Sequence, residues 1–259
     1  MQHIVWSLNP IAFSIGSIHI FWYGIFFATA ILSGLHFMKW VYRLEGKDEE
    51  ILDSMFIYIV IGIVVGARLG HCLFYDPAFY LANPMKILAV WEGGLASHGG
   101  GLGVLIALYL YVKKYKLNFL WLLDRVAIPT ALFGFFVRMG NLMNSEIVGH
   151  KTELPWAIIF TKIDGFPRHP TQLYESFSYL LIFFILTYLY KFKRDSFNDG
   201  FLFGLFLLLV FSARFIVEFV KEKQASYSTE FFLSTGQLLS IPFLILGLGL
   251  ILWSTRKKV

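Results

Sequence analysis

Apolar residues fall in seven long runs separated by short polar connections, at about 18–39, 51–74, 94–112, 121–143, 171–190, 200–220 and 235–254. A hydrocarbon core about 30 Å thick takes roughly 20 helical residues to cross, so each run has the length of a span. The runs are too long for strands and lack the alternation of apolar and polar positions that a membrane strand needs. The pattern predicts an all-α fold, a polytopic transmembrane helical bundle of about seven spans. It also predicts one integral membrane domain over 1–259, since no repeat, low-complexity stretch or linker divides the chain. Two connections are longer, 76–92 with Pro77 and Pro84, and 144–170. Both are partly apolar and are expected to lie along the membrane surface.

Composition agrees. Apolar residues make up 57% of the chain and charged residues 15%, against about 25% charged in a soluble globular protein. The mean hydropathy is +0.66. A net charge of +5 raises the possibility of a nucleic-acid partner. However, the basic residues cluster between apolar runs, as expected at a membrane surface, and no nucleic-acid-binding motif is present. The connections after runs one, three, five and seven hold twelve basic residues: Lys39, Arg43, Lys47, Lys113, Lys114, Lys116, Lys191, Lys193, Arg194, Arg256, Lys257 and Lys258. The opposite side holds six: Lys86, Lys151, Lys162, Arg168, Lys221 and Lys223. The excess of positive charge inside puts the N-terminus outside and the C-terminus in the cytoplasm, with both long connections facing the periplasm. Trp22, Trp40, Trp91, Trp121 and Trp253 stand near run ends, where interfacial anchors belong. No basic residue precedes the first apolar run, so the N-terminus does not read as a signal peptide. The lone Cys72 rules out an internal disulfide and reads as small core filler.

Four arginines remain, Arg68, Arg125, Arg138 and Arg214, each inside or at the edge of an apolar run. A charge at mid-bilayer costs about 2.5–3.5 kcal/mol on insertion scales, so each needs an interior partner or an anionic ligand. Arg125 sits beside Asp124 near a cytoplasmic end and can snorkel. Arg214 has Glu218 four positions on, which leaves open a purely structural ion pair. Arg68 has no carboxylate within a turn. Arg138 is followed by Asn141, Asn144 and Glu146, a polar stripe that suits a phosphate and glycerol hydroxyls or, alternatively, a seam between helices. Gly149 then permits a turn or a close approach. His98 opens a run with Gly99, Gly100 and Gly101. The imidazole is a natural general base, and the glycines admit either a headgroup or another helix. His169, Gln172, Tyr174 and Glu175 lead into the fifth run, and Tyr23 stands beside Trp22 at the first. With the N-terminus outside, these groups share a similar depth towards the outer leaflet. The histidines are not spaced as zinc ligands, and neither a P-loop nor a GxSxG element occurs.

Six segments, taken together, resemble the prolipoprotein diacylglyceryl transferase family. They are Phe21-Trp22-Tyr23-Gly24, Gly66-Ala67-Arg68-Leu69-Gly70, Gly93 through Gly100, Arg138-Met139-Gly140-Asn141 through Glu146 and Gly149, Arg168 through Glu175, and Arg214 through Phe219. They run in family order over nearly the whole chain, and the arginine–asparagine–glutamate segment is the most specific. Ala67 and Met139 are small or apolar variants within the motifs and change no polar group.

The resemblance implies transfer of the sn-1,2-diacylglyceryl group of phosphatidylglycerol to the lipobox cysteine thiol of a prolipoprotein signal peptide. The products are a thioether and glycerol phosphate, with no cofactor and no metal. It implies a multi-pass protein of the bacterial cytoplasmic (inner) membrane with its site towards the outer leaflet. His98, Arg138, Arg214, Asn141 and Tyr23 are the expected catalytic set. His98 takes the thiol proton, and the two arginines, held by Glu218 and Glu146, stabilise the departing phosphate. Arg138, Arg68, Asn144, Glu146, Gly149, Glu218, Gly99, Gly100, His169, Gln172 and Tyr174 are expected to bind phosphatidylglycerol. Two alternatives remain at this point: a membrane transporter, which calls for inverted repeats that the chain lacks, and a non-catalytic lipid-binding protein.

Overall fold

The computed structural model describes residues 3–222 and 233–256; Lys223, Lys257 and Lys258, counted above for orientation, lie outside the described residues. Helices form at all seven apolar runs: α1 Trp22–Leu44, α2 Glu50–Phe74, α4 Ser97–Tyr115, α5 Phe119–Asn144, α6 Thr171–Lys193, α7 Phe201–Val217 and α8 Thr235–Ser254. A short helix, α3 Pro77–Ala82, lies in the first long connection. Among the described residues five helices are long and apolar enough to cross a membrane: α1, α2, α5, α6 with the turn after it, and α8. The chain is therefore a multi-pass helical membrane protein. Helix α4 has 19 residues and α7 only 17. Helix α2 shows the solvent deciding the structure. Its Ile/Val-rich run reads as strand by propensity, but in lipid only a helix satisfies every backbone group within the segment.

The fold is not purely helical, which corrects the all-α expectation. Strand β2 (Ile11–Ile15) pairs antiparallel with β3 (Ile18–Phe21), so α1 begins at Trp22 rather than near residue 18. Strand β1 (Ile4–Trp6) runs parallel to β4 (Ile158–Phe160), which pairs antiparallel with β5 (Pro167–Arg168). The second long connection thus contains strands. Its alternation is too short to read in the sequence, and its partner strand lies some 150 residues away.

The chain forms two compact units, one of residues 1–38 with 123–259 and one of residues 39–122. In the first, Leu142, Val148, Ile158 and Phe160 form a buried cluster with Trp6, Met139 and Leu173 against it, so the sheet packs on the end of α5. Asp124, on α5, accepts hydrogen bonds from the Gly200 and Phe203 amides (2.8 Å each) and caps the start of α7. Arg125 pairs with Asp199 at 3.4 Å. Helix α8 opens on a capping box between Ser234 and Gln237.

In the second unit α2 and α4 cross almost backbone to backbone. A Cβ added at Gly66 would stand 2.4 Å from the Gly99 carbonyl oxygen, and one at Gly103 would stand 2.0 Å from that of Gly62. Small residues four apart let membrane helices approach this closely. Trp121, expected as an interfacial anchor, is buried and donates its indole N–H to Glu45 at 2.6 Å. Cys72 is buried in α2.

Gly66→Ala must push α2 and α4 apart. We expect it to lower stability by about 1–3 kcal/mol, the usual cost of overpacking. Gly101→Ala, with nothing near its added methyl group, should unfold within about 0.5 kcal/mol of the parent in the same detergent melt.

Candidate active site

The first unit places a set of charges around one buried carboxylate. Glu175, in the second turn of α6, has no exposed surface. Its Oε2 pairs with Arg138 Nε of α5, and its Oε1 lies 3.5 Å from Lys221 Nζ, beyond the end of α7. Lys221 Nζ also lies 3.8 Å from Glu218 Oε2. An unpaired buried carboxylate is untenable, and so is an unpaired buried guanidinium. This pairing lets Arg138 remain in an apolar span. Arg138 Nη1 also donates to Asn141 Oδ1 (3.0 Å), and Asn141 Nδ2 donates to Glu146 Oε2 (3.0 Å). Asn144 Nδ2 reaches Glu146 Oε1 (3.0 Å), and Gln172 Nε2 donates to the Glu146 carbonyl (2.5 Å). The stripe expected along α5 therefore exists. It closes through Ser145 and Ile147, both at positive φ, which turn Glu146 back onto the two asparagines.

Arg214 stands apart. It is half-buried in the last turn of α7, and among the described residues its guanidinium has no hydrogen-bond or ion-pair partner. The pair with Glu218 does not form. Helix α7 ends at Val217, and Glu218 turns instead to the Ser234 hydroxyl (3.1 Å) and Lys221. Arg214 and Arg138 both act electrostatically on Lys221 and Tyr179. The result is a cluster of charges in which one guanidinium is uncommitted.

Gly149 sits where three backbone segments meet. A Cβ there would stand 2.5 Å from the Val220 carbonyl oxygen and 2.6 Å from the His169 Cβ. Its amide donates to the His169 carbonyl at 2.9 Å, so close backbone packing explains this glycine. Arg168 ties the same junction to Asp164, Glu222 and the Gly149 carbonyl. Trp156 donates its N–H to the Tyr174 hydroxyl (2.8 Å), which meets His169 Nδ1 at 3.2 Å. Burial, and secondarily His150, holds the His169 pKa below its ordinary value. Tyr23 lays its ring on Gly140, where an added Cβ would stand 2.8 Å from Cδ2.

The remaining expected site residues belong to the second unit. Arg68 donates Nε to the Ile87 carbonyl (2.9 Å), Nη2 to that of Lys86 (2.5 Å) and Nη1 to those of Gly93 and Gly94. It also lies over the Tyr80 ring at 5.1 Å. Its donors are committed to holding the first long connection. His98 is exposed in the first turn of α4. Gly99 is occupied by the α2 crossing, and Gly100 borders Ala67. Glu175 and Lys221 are the two residues for which the sequence suggests no site role. Glu175 follows a motif of polar residues entering a span, but its partners come from other helices. Lys221 looks like an ordinary flanking charge. Among the described residues no three His, Cys, Asp or Glu side chains gather as a metal site.

A half-buried, hydrogen-bonded arginine beside an uncommitted one, both on apolar helices of a multi-pass membrane protein, is an arrangement suited to an anionic group. The family model described as prolipoprotein diacylglyceryl transferase matches residues 10–253. A phosphatidylglycerol–prolipoprotein diacylglyceryl transferase of Tolumonas auensis is 52% identical, covering 98% of this chain and 99% of the relative. The protein of that name in Chloroherpeton thalassium is 48% identical over 99% and 96%, and one in Bacteroides fragilis is 42% identical over 98% and 96%. The chain belongs to the prolipoprotein diacylglyceryl transferase family. Membership favours a transferase over the transporter and the non-catalytic lipid binder.

Asn141 relays between Arg138 and Glu146. Asn141→Ala removes both of its bonds, each to a charged group. We expect a loss of about 1–3 kcal/mol in thermal unfolding, whereas a midpoint unchanged from the parent would mean that the relay carries no stability.

Proposed function

We propose that the chain transfers the sn-1,2-diacylglyceryl group of phosphatidylglycerol to the lipobox cysteine thiol of prolipoproteins. The lipid's carbon–oxygen bond to phosphate breaks, the carbon–sulfur bond forms, and glycerol phosphate leaves. The observation that carries this is Arg214, a half-buried guanidinium with no carboxylate partner among the described residues, beside Arg138, which is already fixed by Glu175. A guanidinium matches phosphate with two parallel N–H donors. Charge grows on the phosphate as the bond breaks, and donors fixed in a dry site stabilise that charge without reorganising. Asn141, Asn144 and Glu146 order the wall on which Arg138 sits, with Gln172 bonded to the Glu146 carbonyl. Tyr23 flanks the same helix, and Gly149, His169 and Tyr174 frame its outer end. Glu218 restrains Lys221. Arg68 acts as a positioning residue that fixes the connection after α2.

The thiol must lose its proton, since the thiolate is the nucleophile. We assign that step to His98, an exposed imidazole with the chemistry of a general base. The chain itself then needs no nucleophile, in keeping with a buried Cys72.

The reading extends to topology: seven spans, counting α4 and α7, in one domain of the bacterial cytoplasmic membrane, with the N-terminus outside, the C-terminus in the cytoplasm and both long connections in the periplasm. The count of basic residues supports this orientation. The cation cluster, near the α7 end opposite the basic Arg194 side, supports a site towards the outer leaflet.

Purified protein incubated with phosphatidylglycerol and a fluorescent lipobox peptide should convert the peptide to a species of altered gel mobility. Arg214→Gln should lower the rate by about 10²–10³-fold, and phosphatidylglycerol binding without any conversion would contradict the reading. His98→Gln should lose activity most strongly below alkaline pH; near-normal turnover across pH would remove His98 from its role.

A further inference from the structure

Ahead of the first span stands a short hairpin that the transfer chemistry leaves unused. Strand β2 (Ile11–Ile15) turns through Gly16, at φ +58°, and returns as β3 (Ile18–Phe21). The register pairs Phe13 with Ile20, Ser14 with His19 and Ile15 with Ile18. Directly paired residues share a face, and successive residues alternate between faces. One face is therefore Phe13, Ile15, Ile18 and Ile20, all apolar. The other carries Ser14 and His19, whose Oγ and Nδ1 are hydrogen-bonded at 2.8 Å. The apolar face is open: Phe13 is 52% exposed, Ile15 67% and Ile18 64%. In water such a face would be a liability, and exposed edge strands are ordinarily protected by charge. This hairpin has no such protection, since no Asp, Glu, Lys or Arg occurs before Lys39.

The hairpin's place in the chain decides what covers that face. Strand β3 runs without a break into Trp22, the first residue of α1. The Trp22 amide donates to the Pro10 carbonyl at 2.9 Å, which closes the base of the hairpin on the helix. Helix α1 has 23 residues and is roughly 35 Å long by the helical rise, enough to cross the hydrocarbon core from its first residue. The hairpin thus begins where the bilayer boundary lies, and at its base Phe21 is also exposed. The backbone limits the depth. Among the described residues the sheet has only two strands, so the outward N–H and C=O groups of both lack ladder partners and need water. These groups keep the hairpin out of the hydrocarbon core, and the apolar face keeps it out of open water. We propose that β2–β3 is an interfacial membrane anchor. It lies along the bilayer surface with Phe13, Ile15, Ile18 and Ile20 at the boundary of headgroups and acyl chains, and with Ser14 and His19 towards water. The occupant of the open face is lipid. An added protein strand would pair with the free edges of the sheet rather than cover this face, and the helix that the hairpin joins is itself open to lipid at Phe27 and Leu32.

Nitroxide labels on two adjacent residues test this, because Ser14 and Ile15 face opposite ways. Ser14→Cys and Ile15→Cys are made in a Cys72→Ser background, spin-labelled, and reconstituted in vesicles of phosphatidylcholine and phosphatidylglycerol. Collision rates are measured with oxygen, which concentrates in lipid, and with a water-soluble nickel chelate. The label at position 15 should meet oxygen far more than nickel, and the label at position 14 the reverse, so that the ratio differs several-fold between them. Both side chains are exposed, so neither label displaces packed neighbours. If Cys72→Ser folds poorly, the parent background serves, since Cys72 is buried and shielded from the label. Frequent nickel collisions at both positions would put the hairpin in water and overturn the proposal. Frequent oxygen and rare nickel collisions at both would put it inside the hydrocarbon and do the same. Rare collisions with both reagents at position 15 would mark a face covered by protein, whether a second copy or a bound peptide, and would also overturn it. None of these results bears on the transferase reading, which conversion of the lipobox peptide decides.

Discussion

One buried carboxylate, Glu175, holds the rest together. It has no exposed surface and answers to Arg138 of α5 and Lys221 beyond α7. In a medium that cannot solvate charge, an arginine and a glutamate persist only as partners, and neither can move without exposing the other. Three segments distant in sequence are thereby fixed around one point. The Asn141–Glu146 relay fixes Arg138 from its other side. Arg214 can then remain uncommitted, because the carboxylates that would otherwise quench it are engaged by Lys221, Ser234 and Arg138. A site for a phosphate needs such an arrangement: enough carboxylate to let the cations fold into the membrane, with one guanidinium left free of a carboxylate partner.

Most of the fold was legible in the sequence because lipid leaves few choices. A run of about 20 apolar residues must be helical once in the bilayer, and helices stand at all seven runs, including the Ile/Val-rich α2. The strands were not legible. They are two to five residues long, and Ile4–Trp6 finds its partner at Ile158–Phe160, a pairing that no local pattern announces. The close crossing of α2 and α4 was half visible. The glycine run after His98 was read as admitting a headgroup or a helix, and at Gly99 the structure gives it to a helix.

The site was legible in its residues and less so in its pairings. Arg138, Asn141, Asn144 and Glu146 were expected on one stripe and are joined there by hydrogen bonds. Arg214 and Glu218, four apart, should meet on a continuous helix. Glu218 keeps the helical bond of its N–H to the Arg214 carbonyl, but Ser234 and Lys221 draw its carboxylate away. Arg138 lacked a carboxylate nearby in the sequence because its partner lies on the next helix, 37 positions on in numbering. Arg68 was read as a ligand for an anion, yet four backbone carbonyls receive its donors. A guanidinium without a nearby carboxylate has two physical solutions, a phosphate or a set of carbonyls, and only coordinates distinguish them.

The dependence of the cluster on a shared carboxylate is measured most directly by a double-mutant cycle between Glu175 and Arg138, read as unfolding free energy in detergent. Glu175→Gln alone takes the buried carboxylate from Arg138 and Lys221 and should cost about 3–5 kcal/mol. Adding Arg138→Gln should restore a substantial part of that loss, with a coupling of about 0.5–3 kcal/mol. Strictly additive losses would mean that the two side chains do not hold one another, and that Glu175 is not the point on which the site is built.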